Sequence, residues 1–173
     1  MSETRSFELD DFVPKTQNVN PAHFPNETFE LLSIPAYDAG APVLTVGSEI
    51  GSSKQLVQPG DVMISKIVPH IRRVWVVPPP IGEHRQIASG EWIVFRTDQI
   101  LGSWLRHFLL SDAFHAQFLN TVAGVGGSLV RARPQFVKKI RIEVPSVEIQ
   151  KKNLKLKIYK NLSSRNEPAS ASF

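Results

Sequence analysis

VQPGDVMISKIVPHIRRVWVV, residues 57–77, sets two apolar segments on either side of a crowded basic crossing. Gln58-Pro59-Gly60-Asp61 has the composition of a tight turn, with Pro presetting φ and Gly supplying φ > 0. The segment 62–68 then reads as a strand. Along it Val62, Ile64, Lys66 and Val68 share one face and Met63, Ser65 and Ile67 the other. Lys66 falls among apolar neighbours, which predicts a strand-end or rim position. RVWVV, 73–77, reads as a second strand closed by Pro78-Pro79-Pro80. His70, Arg72 and Arg73 lie between them.

Working outward, β character dominates from 28 to 97. QIAS (86–89) and WIVFRT (92–97) read as a strand pair around Ser89-Gly90. TFELLSI (28–34) reads as a strand that stops at Pro35. Loops follow, with one brief strand at 43–46. Residues 14–28, rich in Pro, Asn and Thr, read as a loop, and FELDDFV (7–13) shows no clear period.

The period changes at residue 100. Apolar residues at 101, 104, 105, 108 and 109, then at 114, 118, 119 and 122, have helical spacing. Ser111-Asp112 divides them into two helices, with Ser111 a candidate N-cap. AGVGGSL (123–129) is a glycine loop. RPQFVKKI (133–140) predicts a short helix with Pro134 near its first turn, and IRIEV (140–144) a strand. After Pro145, with Ser146 as candidate N-cap, Val147, Leu154, Ile158 and Leu162 form a stripe at helical spacing. LKLKI also alternates, so a strand stays open there. These elements predict an α/β protein of the α+β type, a β-rich body with a few helices.

The chain of 173 residues is long enough to bury a core without covalent staples. It contains no cysteine, which excludes disulfides, thiolate nucleophiles and cysteine-based metal sites. Its polar, acidic start lacks the features of a signal peptide, and no apolar run approaches a membrane span. A soluble cytoplasmic protein, away from membranes, is the expectation. The net charge of +4 is uneven: residues 1–130 carry 9 Lys/Arg against 13 Asp/Glu, and residues 131–173 carry 11 against 3. A basic end on a near-neutral body points to a polyanion or an acidic partner.

Signatures of catalysis are missing. The histidines His23, His70, His84, His107 and His115 offer no H-x-x-x-H spacing. The 124–129 glycines lack the Lys of a phosphate loop, and Leu129 stands where a dinucleotide motif needs its third glycine. No cofactor or metal is expected. What recurs instead is groups suited to phosphate at loop edges: Ser53 and Lys54; Ser65 and Lys66; His70, Arg72 and Arg73; Ser128, Arg131 and Arg133; and then Lys138 and Lys139. Such contacts position a protein on nucleic acid, whereas base-edge contacts specify sequence. Each basic residue alone reads better as a solvated surface charge, and it is their clustering on successive loops that makes DNA or RNA binding competitive.

The order of features over residues 7–152 resembles the target recognition domain of type I restriction–modification specificity subunits. The resemblance is carried by FELDDF, FELLSIPAYDAGAP, GSSKQLVQPGDVMISKIVPHIRRVWVV, WIVFRT with WLRHFLLSDAF, GVGGSLVRARPQFVKKIRIEVP and PSVEIQKK. It implies a non-catalytic protein that recognises one half of a bipartite double-stranded DNA target and docks methyltransferase and endonuclease subunits. Residues 1–144 would be the recognition domain, 145–165 the start of a coiled-coil-type spacer helix, and 166–173 a disordered tail. Lys66, His70, Arg72 and Arg73 would lie on a DNA-facing rim. Such subunits carry two recognition domains, and this chain shows one. It is then either a half subunit that forms a homodimer through the C-terminal helix, or a truncated remnant. A protein-docking module and a small nucleic-acid-modifying enzyme are the competing readings.

Overall fold

The computed structural model describes residues 3–15, 17–123 and 130–165. Twelve strands and five α-helices are laid out along them. The strands are β1 (Arg5–Glu8), β2 (Asn18–Val19), β3 (Thr28–Leu32), β4 (Val43–Val46), β5 (Lys54–Leu56), β6 (Val62–Ser65), β7 (Val74–Val76), β8 (Arg85–Ala88), β9 (Trp92–Phe95), β10 (Val122–Ala123), β11 (Arg131–Ala132) and β12 (Arg141–Val144). The helices are α1 (Ile34–Ala39), α2 (Gly102–Leu109), α3 (Asp112–Leu119), α4 (Pro134–Val137) and α5 (Val147–Arg165).

A three-stranded antiparallel sheet, β7-β6-β9, forms the middle layer. Its two faces feed two cores. Val62, Ile64, Val74, Ile93 and Phe95 join Trp104, Leu105 and Leu109 of α2 and Phe114 and Phe118 of α3. Met63, Trp92 and Val94 face the other way, onto Leu32 and Ala88 of a five-stranded sheet ordered β2-β5-β8-β3-β4. Burial on both faces explains why β6 and β9 read as nearly continuous apolar runs. The outer face of the five-stranded sheet has its own small core of Val19, Phe29, Ile50 and Ile87. β1 pairs with β12, so the start of the chain closes on the strand that precedes α5.

The expected turn at 58–61 is present. Asp61 N–H donates to the Gln58 carbonyl at 3.1 Å, and Gly60 has φ of +88°. Ser111 caps α3, its hydroxyl accepting from Phe114 N–H at 3.2 Å. The ambiguous LKLKI segment is helical and lies within α5.

The pairing expected around Ser89-Gly90 is corrected. β8 runs parallel to β3 and antiparallel to β5, while β9 pairs with β6 in the other sheet. The turn carries the chain between layers instead of folding it back on itself. Ser89 N–H donates to the Leu32 carbonyl at 3.2 Å, and Trp92 N–H to the Ser89 carbonyl at 3.2 Å. The strands themselves pair with segments distant in sequence, β8 with β3 and β5 and β9 with β6, which a local reading cannot see.

Residues 35–39 are also helical where loops were expected. Ser33 caps α1 by accepting from Ala36 N–H at 3.2 Å. Pro35 lies in the first turn and Gly40 closes the helix at φ +93°. The glycine loop at 124–129 and the tail from 166 lie outside the described residues.

α5 is anchored at its start and again at Lys157, whose ammonium lies 2.8 Å from His107 Nδ1 of α2. Gln150 is fully buried, accepting from Leu101 N–H at 2.8 Å and donating to the Pro145 carbonyl at 2.8 Å. Leu154 packs on the α2 core. Beyond it Leu156, Ile158, Tyr159 and Leu162 are all more than half exposed.

Candidate nucleic-acid interface

Three lysines from separate parts of the chain reach one cleft of about 350 Å³. Lys54 comes from β5, at the sheet edge where Val19 pairs with Lys54 and Asn18 with Gln55. Lys66 comes from the residue after β6. Its N–H donates to the Glu91 carbonyl at 3.0 Å and its carbonyl accepts from Ala132 N–H at 2.8 Å. Lys138 comes from the end of α4, where its carbonyl accepts from Asp10 N–H at 2.8 Å. Three independent backbone anchorages therefore fix the Cα positions of the three lysines.

Polar groups complete the cleft. Ser53 donates its hydroxyl to the Val19 carbonyl at 3.2 Å. Gln55 reaches under the β8–β9 turn and donates to the Ser89 and Trp92 carbonyls at 3.0 and 3.1 Å. Lys54 donates to the Ser52 carbonyl at 3.1 Å and hydroxyl at 2.5 Å, and its partial burial pulls its pKa below the usual lysine range. None of the described residues lining the cleft is acidic. The neighbouring Glu91 carboxylate is held by Arg131, at 2.8 and 3.1 Å.

The expected arginines are already engaged. The crossing from β6 to β7 turns at Val68, which adopts φ of +45°, next to buried Pro69. His70 beyond it is exposed. Arg72 donates to the Leu110 carbonyl at 3.0 Å and to Asp112 at 2.6 Å. Arg73 forms a two-pronged pair with Asp38 of α1 at 2.8 and 2.9 Å, and only 11% of its side chain is exposed. That pair raises the Arg73 pKa and lowers that of Asp38, through the charge-assisted hydrogen bonds in each case. His115, facing Arg72 and His70, is pushed below the usual histidine range, chiefly by burial. Arg133 donates to the Thr121 carbonyl at 3.0 Å and lies 4.2 Å from the centre of the Phe136 ring.

Ser65 is corrected outright. It is buried and donates its hydroxyl to the Ile67 carbonyl at 3.2 Å, so it faces the interior instead of a loop edge. Ser128 lies outside the described residues. Of the ten positions singled out between Ser53 and Arg133, Ser53, Lys54 and Lys66 share the cleft, and Arg131 neutralises the acid beside it. His70, Arg72 and Arg73 form a separate cluster on the crossing. Lys138 came from the wider basic set. Asn18 and Gln55 were missed, since the short strands β2 and β5 carry no periodic signal.

Among the described residues, no group of three or more His, Asp or Glu side chains could hold a metal ion, and no helix is long and apolar enough to cross a membrane.

No protein-family profile matches the chain, and no curated protein matches its sequence. Solved structures do. One is the HsdS subunit from Thermoanaerobacter tengcongensis: TM-score 0.76, 22% identity, covering 94% of this chain and 44% of that one. Another is a chain from work on complex assembly and conformational transition of the type I R-M system: TM-score 0.73, 21% identity, covering 94% of this chain and 42% of that one. The chain spans less than half the length of either. The likeness shows the fold: mixed sheets, few helices and a long C-terminal helix, as the sequence resemblance implied.

Proposed function

We propose that this chain is a DNA-reading, non-catalytic specificity component of a type I restriction–modification system. The observation that supports this best is the agreement of two routes. Sequence features in a set order led to that family, and the fold independently matches an HsdS subunit over 94% of the chain. At 22% identity the fold alone is shared by demonstration, so the function stands as an inference from it. In this reading the chain acts in the cytoplasm on double-stranded DNA, recognises one half of a bipartite target, and works with methyltransferase and endonuclease subunits.

The test is selection of bound duplexes from a randomised pool at near-physiological salt, using the purified chain. A defined motif of a few base pairs is the expected outcome. A two-fold repeat of it at fixed spacing would add pairing of two copies through α5. Recovery without any sequence preference would contradict a specificity role.

One observation favours a second reading, a protein-docking module. α5 presents exposed Leu156, Ile158, Tyr159 and Leu162 among Lys151, Lys152, Lys155, Lys157 and Lys160, a surface suited to an acidic helical partner. The two readings are compatible if docking and DNA binding use different ends of the chain.

A further inference from the structure

We propose that the cleft shared by Lys54, Lys66 and Lys138 is the seat for the phosphate backbone, and that the arginines of the 70–73 crossing are braces of the fold. The inference rests on the DNA reading above for the identity of the polyanion. It differs from the sequence expectation, which gave the rim to Arg72 and Arg73.

The division between the two kinds of cation is visible in the ion pairs. Among the described residues, every Lys, Arg or His contact with a carboxylate within 4.0 Å is made by an arginine: Arg72, Arg73, Arg85, Arg96, Arg131 and Arg141. No described lysine makes one. A paired guanidinium has given up most of its pull on a further anion, and freeing it means breaking charge-assisted hydrogen bonds. None of the three ammonium groups has a carboxylate partner: Lys54 would give up only its hydrogen bonds to the neutral Ser52 oxygens, and a compact ammonium acts on phosphate as a point charge without needing a two-pronged approach.

The cleft concentrates that charge. No described carboxylate lines it, and the neighbouring Glu91 is neutralised by Arg131. Like charges gathered without counter-ions from the protein raise the potential of a concave site and draw a polyanion to it. Asn18, Ser53 and Gln55 add polar groups at the same edge. The ligand class is the phosphodiester chain of duplex DNA. Free polyphosphate shares its chemistry and is the source to be distinguished.

The experiment reads lysine accessibility and salt dependence together. The full chain is labelled with an amine-reactive reagent, alone, with a short random-sequence duplex, and with inorganic tripolyphosphate, and each lysine is read by mass spectrometry. Duplex binding is then followed across salt for the protein and for the Lys54→Gln, Lys66→Gln, Lys138→Gln triple variant. With duplex, Lys54, Lys66 and Lys138 should lose labelling while Lys15 and the α5 lysines keep it. The triple variant's slope of log affinity against log salt should be shallower by about 3, at about 0.9 for each phosphate that the variant leaves without its lysine. The footprint on the unaltered chain holds even if the variant folds poorly. Duplex binding with all three lysines still labelled and an unchanged slope overturns the seat and leaves the DNA reading standing. Absence of duplex binding removes the DNA reading instead. Protection by tripolyphosphate alone would then retain a phosphate seat for a free ligand, and protection by neither probe overturns it.

Discussion

The Arg96 guanidinium meets the Asp61 carboxylate through two parallel hydrogen bonds of 2.7 and 2.8 Å, and Asp61 is only 1% exposed. The same carboxylate accepts from Gln58 N–H at 3.0 Å, and the Asp61 carbonyl accepts from Val77 N–H at 2.8 Å. One residue therefore ties the turn before β6 and the end of β7 to the residue that follows β9.

Replacing Asp61→Asn keeps the shape of that side chain and removes its charge. Arg96 keeps partial access to water, so part of its deficit is made up by solvent. Weakening of the Gln58 hydrogen bond and of the charge-assisted pair together should lower stability by about 2 kcal/mol. Urea unfolding of the two proteins measures this. A midpoint unchanged with an unchanged slope would mean that the pair contributes nothing net.

A second pair gives a pH signature. Arg85 grips Glu27 at 2.6 and 2.7 Å, and those hydrogen bonds hold the Glu27 carboxyl below the usual carboxylate range. A carboxyl with a lowered folded-state pKa stabilises fully above its unfolded value, about 4.3, and the benefit fades as pH falls through the folded value. The difference in melting temperature between the native chain and Arg85→Gln should be steady near neutral pH and shrink below about pH 4. Arg85 also lies 4.4 Å from the Phe24 ring and 4.9 Å from the Phe29 ring, so a residual difference from packing should survive in acid.

How much of this was legible in the sequence depends on how local each cause was. The 58–61 turn, β6, β7 and the Ser111 cap depend on neighbours within a few residues, and their residue types announce them. α1 was legible too, through Ser33, Pro35 and Gly40, but Pro35 drew attention as a strand breaker when it is equally a first-turn residue. The pairing of β8 with β3, 56 residues away, had no local signal. The site divides along the same line. Sequence showed which residues are cationic. It could not show that Asp38 would come to Arg73, or Asp112 to Arg72, while Lys54, Lys66 and Lys138 meet in a cleft with no acidic partner among the described residues.

Gly47 marks a close backbone approach between the segment that follows β4 and the one that follows β2. A Cβ there would come within 2.1 Å of the Phe24 carbonyl oxygen and 2.5 Å of the Pro21 carbonyl oxygen. Both obstacles are backbone, so neither can turn aside as a side chain would. Gly47→Ala should therefore cost about 2–3 kcal/mol, at the upper end for overpacking. Because Pro21 follows β2, the strand that lines up with Lys54, hydrogen exchange should quicken at Val19, Lys54 and Leu56 before it does in β6. Uniform quickening across all strands would instead mean that the two regions unfold as one.

Lys54 offers a test in which stability and binding move in opposite directions. Its pKa lies below the usual lysine range because burial disfavours the charged form. Between the lowered value and the ordinary one, about 10.4, the unfolded chain holds a proton that the folded chain has given up. Stability should thus gain slightly from this residue as pH rises through that window. Phosphate binding needs the proton, so DNA affinity should fall over the same window. The fall should begin at lower pH than for an unperturbed lysine. Unfolding cannot explain a drop in affinity that accompanies a gain in stability. Lys54→Arg keeps the charge and Lys54→Gln has none to lose, so both should flatten this part of the profile, from a high and a low starting affinity respectively. Fluorescence anisotropy of a labelled duplex between about pH 8 and 10, with circular dichroism confirming the fold, measures it. A decline equally steep in all three proteins would show that Lys54 does not carry the phosphate contact.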